Sequence, residues 1–370
     1  MLTLRLVGPT GFAVFGVAAG ERLKRQIERL DLLRCGAAKG VFIARADTVT
    51  LETTLEWLSR NPRRFLCNEG GEPVICFVDG EERSATVEAA ARVLAGAPLG
   101  DEFKQEDAAS LTVFSRTLRT RQKLVVFSLA ATSGLEAERT LFRHVYKGVT
   151  DVVTRYVWPL PAFWTTRTFA YAGIAPNLVT IVGIILSFVA AAEFATSHWE
   201  PGLAAAWLVT FLDTVDGKLA RVTATSSRLG DKLDHVSDWV HPPLWWACAA
   251  IGAARTIGDD FSLALTVSTT AILASYVGGR ASEKLFKKRF GFNQYLWRPY
   301  DGYLRSVIAR RNTILLVLTA GALCSQMILS MHVVAVWCVV SIGLQMSRWM
   351  YAEWRARSGH RVESWMQADA

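Results

Sequence analysis

The chain has 370 residues, a length that allows two domains. Its hydrophobic content of 51% and mean hydropathy of +0.23 exclude an ordinary soluble globular protein. Lys and Arg number 41 against 33 Asp and Glu, and the resulting charge of +8 indicates nucleic acid, anionic lipid, an anionic substrate or membrane topology. The six cysteines form no CxxC pair, and no charged leader with an apolar core and a cleavage site begins the chain. We therefore expect reduced thiols and a cytosolic N-terminus.

Up to about residue 113, short apolar runs such as LTLRLVG and GVFIAR alternate with amphipathic stretches such as ERLKRQIERLDLLRCG. Strand-length and helix-length segments in alternation predict a soluble α/β layer with a central sheet over residues 1–113. The polar stretch GAPLGDEFKQEDAASL, residues 96–111, is interpreted as a linker.

The following stretch, LFRHVYKGVTDVVTRYVWPLPAFWTTRTF, mixes Arg and Lys with Trp, Tyr and Phe. This composition is typical of a helix that lies in the headgroup region of a membrane, and a soluble connector helix is the alternative. Residues 114–176 are therefore assigned to a linker and an interfacial amphipathic helix.

After residue 176 the sequence predicts six transmembrane helices, because each apolar segment approaches the roughly 20 residues needed to cross a bilayer. The segments are 178–196, 202–220, 235–254, 261–280, 313–331 and 332–349. They define a membrane domain over residues 177–350, followed by a polar cytosolic tail over residues 351–370.

The loops give this domain an orientation. The connections TSHWEPG, ARTIGDD and LSMH contain one basic residue, Arg255, whereas the alternate connections carry many Lys and Arg. The positive-inside rule then predicts a multi-pass protein of the inner (cytoplasmic) membrane with both termini in the cytosol. Much of the net positive charge follows topology, and no nucleic-acid recognition fold is evident, so nucleic-acid binding is not favoured.

Four aspartates stand next to two of these segments. Asp213 and Asp216 are three residues apart, and Asp234 and Asp238 four apart, so each pair shares one helix face. Four carboxylates together repel each other and require a counter-charge, and oxygen ligands without neighbouring Cys favour Mg²⁺, Mn²⁺ or Ca²⁺ over zinc. The alternative for an isolated D-x-x-D pair is a solvent-exposed pair of aspartates that caps a helix and binds no metal. His235 and His241 nearby are interpreted as structural imidazoles rather than metal ligands.

The residues between the aspartates complete a longer pattern, D-x2-D-G-x2-A-R-x8-G-x3-D-x3-D, at every fixed position. A chance match at a given start is on the order of 10⁻¹⁰, taking each residue type near one in twenty. The fixed positions are Asp213, Asp216, Gly217, Ala220, Arg221, Gly230, Asp234 and Asp238. This pattern resembles the signature of the CDP-alcohol phosphotransferase family of integral membrane enzymes.

The resemblance implies a six-helix membrane domain that transfers a substituted phosphoryl group from a CDP-linked donor to an alcohol and releases CMP. It implies two Mg²⁺ or Mn²⁺ ions bound by Asp213, Asp216 and Asp234, with Asp238 joining the metal site or acting as general base on the acceptor hydroxyl. Partners would be membrane lipids, the donor, an alcohol or polyol phosphate acceptor, and a second copy in a homodimer.

Further positions follow from the same resemblance. Gly217 and Ala220 lack bulk where cytidine and diphosphate approach, Gly230 allows close helix contact, and Arg221 can hold phosphate oxygens. GIAPNLVTIVG resembles the entry to the first membrane helix, where Pro176 suits the first turn. The remaining predicted positions are Asn177 and Thr180, which either cap that helix or touch the nucleotide, Ser227 near the donor, and Arg310 and Arg311, which would bind an acceptor phosphate.

The N-terminal stretch GERLKRQIERLDLLRCGAAKGVFIARAD resembles sugar nucleotidyltransferases, including cytidylyltransferases fused to this membrane family in inositol-lipid and di-inositol-phosphate synthesis. The A-G-x-G-x-R-like phosphate loop and Pro-Lys of active members are missing. We therefore expect a degenerate domain, structural or regulatory, without cytidylyltransferase activity.

Two other functions stay open as alternatives. A non-catalytic membrane scaffold would lose at least one of the four aspartates, all of which are intact, and an ion-coupled transporter would place its charges near mid-helix. The product class is a phospholipid or a phosphodiester polyol, and the sequence leaves the alcohol and the preferred metal open.

Overall fold

The computed structural model describes residues 2–33, 39–80, 84–115, 117–132, 134–258 and 262–367. Its first half is an α/β unit. The elements in chain order are β1 (Leu2–Val7), β2 (Ala13–Val14), β3 (Val17–Ala18), α1 (Ala19–Leu33), β4 (Gly40–Arg45), β5 (Thr48–Thr50), α2 (Glu52–Arg60), β6 (Arg64–Cys67), β7 (Pro73–Asp79), α3 (Ser84–Leu94), β8 (Lys104–Asp107), β9 (Thr112–Ser115), β10 (Thr120–Lys123), β11 (Val126–Ser128) and α4 (Gly134–His144).

A five-stranded mixed sheet in the order β1-β4-β7-β6-β8 forms the centre of this unit. The pairs β1–β4 and β6–β8 are parallel, and the two central pairings are antiparallel. Because successive side chains of a strand point to opposite faces, Phe42 and Phe77 pack against α1 and α2, whereas Ile43 and Val78 pack against α3. Helices therefore cover both faces of the sheet, which confirms the predicted α/β layer.

The linker interpretation of residues 96–111 is wrong, because this stretch contains β8, the edge strand paired with β6. The backbone of β8 forms its hydrogen bonds with β6, while most of its side chains are polar and exposed. The strand therefore lacks the alternation of apolar and polar residues by which a strand is recognised in a sequence. The unit also extends beyond residue 113, since β11 pairs with β5 and β9 pairs with β10.

The stretch predicted as one interfacial helix is divided. It holds the end of α4, a π-helical turn at Val153–Val157 and α5 (Pro159–Tyr171), which begins at a proline and packs against the second membrane-domain helix. Exposed aromatic side chains at Tyr156 and Trp164 remain in keeping with a position at a membrane surface.

The second half is helical. Its elements are α6 (Pro176–Ala195), α7 (Trp199–Val222), α8 (Arg228–Ile257), α9 (Leu263–Phe290), α10 (Pro299–Val307), α11 (Arg311–Leu323) and α12 (Met327–Arg357). Buried Ala, Leu and Trp side chains of α6, α7, α8, α9, α11 and α12 form one core cluster. At Gly252 in α8 an added Cβ would overlap the carbonyl oxygen of Phe194 in α6, so the two helices approach too closely for any side chain there.

Three stretches in the described part of the chain are long and apolar enough to cross a membrane: Pro176–Ala195, Pro299–Leu323 and Met327–Arg357. Only 28% of the most apolar window of Pro176–Ala195 is buried, so most of this helix faces outward, as a lipid-facing helix does. Six helices occupy the six predicted segments, but six spans are not established. The predicted boundary between the last two segments, at 331/332, is wrong because the chain turns between Leu323 and Met327.

The α/β unit contacts the membrane domain at the C-terminal end of α7. Arg22 of α1 is buried and donates from Nε to the carbonyl oxygen of Val222 (2.9 Å) and from Nη1 to that of Thr50 (2.7 Å). Arg25 donates to the carbonyl oxygen of Thr223 (3.4 Å). These guanidinium groups satisfy carbonyls at the C-terminal end of α7, where the helix dipole favours positive charge. The helix with the first aspartate pair is thus anchored to the N-terminal unit.

Candidate active site

A cavity of about 310 Å³ opens between α6, α7, α8, α9 and α11 and the segment that precedes α5. It is lined by every sequence-predicted site residue whose side chain the structure describes. These are Asn177, Thr180, Asp213, Asp216, Gly217, Ala220, Arg221, Ser227, Gly230, Asp238, Arg310 and Arg311. Asp234 belongs to α8, but its side chain lies outside the described residues.

An arginine joins the two aspartate-bearing helices. Arg311, at the start of α11, donates from Nη2 to Asp213 Oδ2 (2.5 Å) and from Nη1 to Asp238 Oδ1 (3.0 Å). The Arg311 side chain is 16% exposed, so these charge-assisted bonds are shielded from bulk water. The carboxylates of Asp213 on α7 and Asp238 on α8 therefore face each other, and the Arg311 guanidinium lies between them.

The third described aspartate is held separately. Buried Asp216 accepts a hydrogen bond at Oδ2 from the Thr180 hydroxyl (2.6 Å), which links α6 to α7. Neither Asn177 nor Thr180 caps α6, because Ala175 is the N-cap residue and receives no side-chain hydrogen bond. The capping alternative for these two residues is therefore wrong.

The donor set fits a hard divalent cation in its chemistry, since Asp213, Asp216 and Asp238 offer carboxylate oxygens to one cavity. Across the described residues, no three His, Cys, Asp or Glu side chains are grouped closely enough to hold a metal ion. The Arg311 guanidinium lies between Asp213 and Asp238 and must withdraw from at least one of them before both can bind a cation.

His241 contacts Arg311 rather than a carboxylate. Its Nδ1 lies 2.7 Å from the Ser237 carbonyl oxygen, and its Nε2 lies 2.8 Å from Arg311 Nη1. These partners assign the tautomer, because Nδ1 must donate to the carbonyl and Nε2 must accept from the guanidinium. The imidazole is therefore neutral and holds Arg311, which agrees with the structural role expected for it.

The small residues of the motif lie at close approaches. An added Cβ at Gly230 would lie 2.5 Å from Asn177 Oδ1, so α6 and α8 approach each other here, as predicted. Ser227 is the N-cap of α8, and its Oγ accepts from the Gly230 amide (3.0 Å). At Gly217 an added Cβ would lie 3.3 Å from Arg221 Nη2, so the missing side chain leaves room for the Arg221 guanidinium.

A second group of cavity-lining residues, called here the arginine-rich end, begins next to Arg311. Arg310 forms an ion pair with Glu283 of α9 and donates to the Tyr295 hydroxyl (3.4 Å). Arg305, from α10, has two buried nitrogens, Nε and Nη1, without a hydrogen-bond partner among the described residues. Arg119, from the turn between β9 and β10, also lines this end.

Asp151, in the segment before α5, supports the same wall. Its carboxylate accepts from the Thr154 amide (3.0 Å), from the Thr154 hydroxyl (2.9 Å) and from Asn312 Nδ2 (2.9 Å). Burial raises the pKa of Asp151, but these hydrogen bonds and the charge of Arg305 outweigh it and hold the pKa below its usual value. The carboxylate therefore stays ionised and ties this segment to the start of α11.

Sequence reasoning missed several residues of the arginine-rich end, namely Arg119, Arg280, Glu283, Arg305 and Tyr276. Arg280 and Arg305 are among the Lys and Arg residues of the alternate connections between predicted segments. The positive-inside rule already accounts for these charges, so the sequence did not single out either residue as part of a site. Arg119 lies in a different unit of the fold, and nothing near it in the sequence connects it to the aspartates.

Residues 173–345 match the family described as CDP-alcohol phosphatidyltransferase, which confirms the resemblance predicted from the aspartate pattern. A phosphatidylinositol phosphate synthase of Mycobacteroides abscessus is 34% identical over 117 residues, which are 30% of this chain and 51% of that protein. An archaetidylinositol phosphate synthase of Pyrococcus horikoshii is 36% identical over 72 residues, 20% of this chain and 38% of that protein. The chain spans about half or less of the length of these relatives.

Two solved structures of Mycobacterium tuberculosis phosphatidylinositol phosphate synthase are also similar. The structure with CDP-DAG bound has 18% identity and a TM-score of 0.40, and the match covers 50% of this chain and 92% of that one. The structure in complex with manganese and citrate has 17% identity and a TM-score of 0.41, with coverages of 50% and 88%.

Proposed function

We propose, on the premise that residues 173–345 form a CDP-alcohol phosphatidyltransferase domain, that this protein transfers a substituted phosphoryl group from a CDP-linked lipid to a phosphorylated polyol of the inositol type and releases CMP. One observation carries the proposal: the cavity is lined by every described residue of the aspartate pattern. The names of the two curated relatives support the inositol-type acceptor.

In this proposal the aspartate end of the cavity receives the CDP diphosphate and the arginine-rich end receives the acceptor. Asp213, Asp216, Asp234 and Asp238 would hold Mg²⁺ or Mn²⁺, two ions in all. Such ions neutralise the diphosphate and stabilise the charge that develops on CMP as it leaves. Asn177, Ser227 and Arg221 would contact the donor, because they line the wall formed by α6, α7 and the start of α8.

Asp238 is the proposed base for the acceptor hydroxyl. Its Oδ1 is bound by Arg311, and its backbone carbonyl oxygen accepts from the Tyr276 hydroxyl (2.6 Å) and Arg280 Nη2 (3.2 Å), which fixes the residue between the two ends of the cavity. A carboxylate in this position removes the proton of the hydroxyl as it attacks phosphorus. Arg310 and Arg311 would bind the acceptor phosphate as donors of paired hydrogen bonds.

The membrane setting is part of the same proposal. The cavity opens at the end of the helix bundle that contacts the α/β unit, and the positive-inside pattern predicts a cytosolic location for that end and for both termini. We further propose an inner-membrane location, a homodimer, and a structural role for the N-terminal unit, which anchors α7 through Arg22 and Arg25.

The test is CMP release by the purified full chain with Mg²⁺ or Mn²⁺. CDP-diacylglycerol and CDP-inositol serve as donors, and inositol phosphate, glycerol phosphate, inositol and serine as acceptors. We expect turnover with CDP-diacylglycerol and inositol phosphate. Removing the general base by Asp238→Asn should lower kcat by about 10²- to 10⁴-fold.

The matched control is Glu353→Gln, since Glu353 pairs with Arg289 on the outer surface and should leave CMP release unchanged. Full activity of the Asp238→Asn variant would refute the assignment of the base. No turnover with any donor and acceptor would instead favour a membrane scaffold.

A further inference from the structure

The β9–β10 turn of the N-terminal unit reaches the cavity in the membrane domain. Arg119 is the residue of this turn that lines the cavity, and its charge interacts with those of Glu283, Arg310 and Arg280 of the membrane domain. No other strand or turn of β1–β10 provides a cavity-lining residue within the described ranges. Among the described residues of β1–β10 and their turns, Arg119 is thus the one that can contact a ligand in the cavity.

The backbone holds Arg119 in this position at a cost. Its φ of 51° is in the left-handed region, which a non-glycine residue occupies only when the surroundings impose it. The Gly148 amide donates to the Leu118 carbonyl oxygen (2.9 Å), and an added Cβ at Gly148 would lie 2.9 Å from the Arg119 carbonyl oxygen. The turn is thus fixed against the segment that forms one wall of the cavity.

The charges at this end of the cavity do not balance. Arg119, Arg280, Arg305 and Arg310 all act electrostatically on Glu283, which is already paired with Arg310. Asp151, the second carboxylate near Arg305, accepts its hydrogen bonds from Thr154 and Asn312, so four guanidinium groups face two acids. Within the described chain, neither Arg119 nor Arg305 has a hydrogen-bonded or ion-paired acid, and two nitrogens of Arg305 are buried without a partner. Buried guanidinium groups require an acceptor, and a phosphate monoester offers two charges and three acceptor oxygens.

We propose that Arg119 is a specificity-determining residue of the acceptor site, which binds the phosphate monoester of the acceptor together with Arg305 and Arg310. This inference rests on the proposed transferase function and extends it, because the N-terminal unit then supplies part of the active site. The selectivity for a phosphorylated over an unphosphorylated polyol would depend on a residue outside the membrane domain.

Steady-state kinetics of the purified full chain test the role of Arg119. With CDP-diacylglycerol and Mg²⁺, Arg119→Ala should raise the KM for inositol phosphate by tenfold or more and leave the KM for the donor unchanged, because a charge-assisted phosphate contact is lost. Arg119→Lys should recover part of the loss. Lys123→Ala, an exposed residue of the same hairpin, is the matched control and should behave like the parent protein.

Binding measured without turnover separates this inference from the proposed function. Titration calorimetry with inositol phosphate, and separately with inorganic phosphate, should show at least tenfold weaker binding in Arg119→Ala; this result supports the inference even if no donor is turned over. An unchanged affinity for inositol phosphate overturns it. So does an effect confined to the donor KM, or one seen only in vesicles that contain anionic lipid, since the anion would then be the diphosphate or a lipid headgroup.

Discussion

Arg311 shows at the scale of a single residue how the cavity balances its charges. Its guanidinium binds Asp213 and Asp238, the two carboxylates that a divalent cation would also need. His241 supports the guanidinium from a third side through Nε2. In the proposed function, a metal ion and Arg311 would therefore compete for the same oxygens.

We expect Arg311→Gln to bind Mn²⁺ about tenfold more tightly than the parent protein, because removing a positive charge a few ångströms from the site removes both a competitor and a repulsion. Titration with Mn²⁺, followed by the electron paramagnetic resonance signal of the free ion, measures the affinity. Arg289→Gln is the control, since Arg289 pairs with Glu353 at the surface. Unchanged or weaker binding in Arg311→Gln would mean that guanidinium and cation do not compete.

The pKa of Asp151 in the folded protein is below its usual value of 3.8. This direction determines how the free energy of unfolding depends on pH. The ionised form of Asp151 is favoured in the folded protein, so its stabilisation is fully present above about pH 4 and is lost as the pH falls through the folded pKa. Asp151→Asn should lower the free energy of unfolding by about 1–3 kcal/mol at pH 7, because an amide faces the donors of Thr154 and Asn312.

Thermal unfolding of the detergent-purified protein at pH 7 and at pH 3.5 measures this difference, which should shrink at the lower pH. Asp101→Asn, in the exposed loop before β8, should change neither curve. A difference that grows as the pH falls would contradict the assignment of the ionised carboxylate.

Helix packing within the membrane domain depends on small residues at defined places. At Gly252 the added Cβ of an alanine would overlap backbone of α6, which has no flexible side chain to move aside. We expect Gly252→Ala to cost about 3 kcal/mol of stability, at the upper end of overpacking effects. Gly183→Ala in α6 is the matched control, since no atom lies within 4 Å of its added Cβ.

Thermal inactivation in detergent compares the two glycine variants directly. A Gly252→Ala protein that unfolds at the same temperature as Gly183→Ala would show that α6 and α8 leave room for a side chain at this contact.

The helices also show what the sequence could and could not predict. The aspartate pattern was readable because its spacing places side chains on the facing ends of two consecutive helices. The turn between α11 and α12 was missed because Ser325 adopts a φ of 53° with neither Gly nor Pro beside it. The pairing of Arg311 with Asp213 joins residues 98 positions apart, and only the folded chain brings these charges together.

The molecule as a whole has its cavity at one end of the helix bundle and the α11–α12 turn at the other. Cys324 is in that turn and is exposed, whereas Cys67, Cys76 and Cys338 are buried. Positive-inside topology therefore predicts that Cys324 faces away from the cytosol.

A membrane-impermeant maleimide added to intact cells should label the parent protein, and Cys324→Ser should abolish the labelling. Cys248→Ser is the control, since Cys248 is only partly accessible within a helix. Labelling that requires permeabilised cells would reverse the proposed orientation.

The contact between Arg22 and Val222 also orders the assembly of the molecule in time. These residues are 200 positions apart, and at about 5–20 residues per second roughly 10 to 40 s pass between their synthesis. During that interval Arg22 can already bind the Thr50 carbonyl within its own unit. The α/β unit thus has time to form before α7 is complete, so that the newly made end of α7 can dock onto a preformed pair of cationic donors.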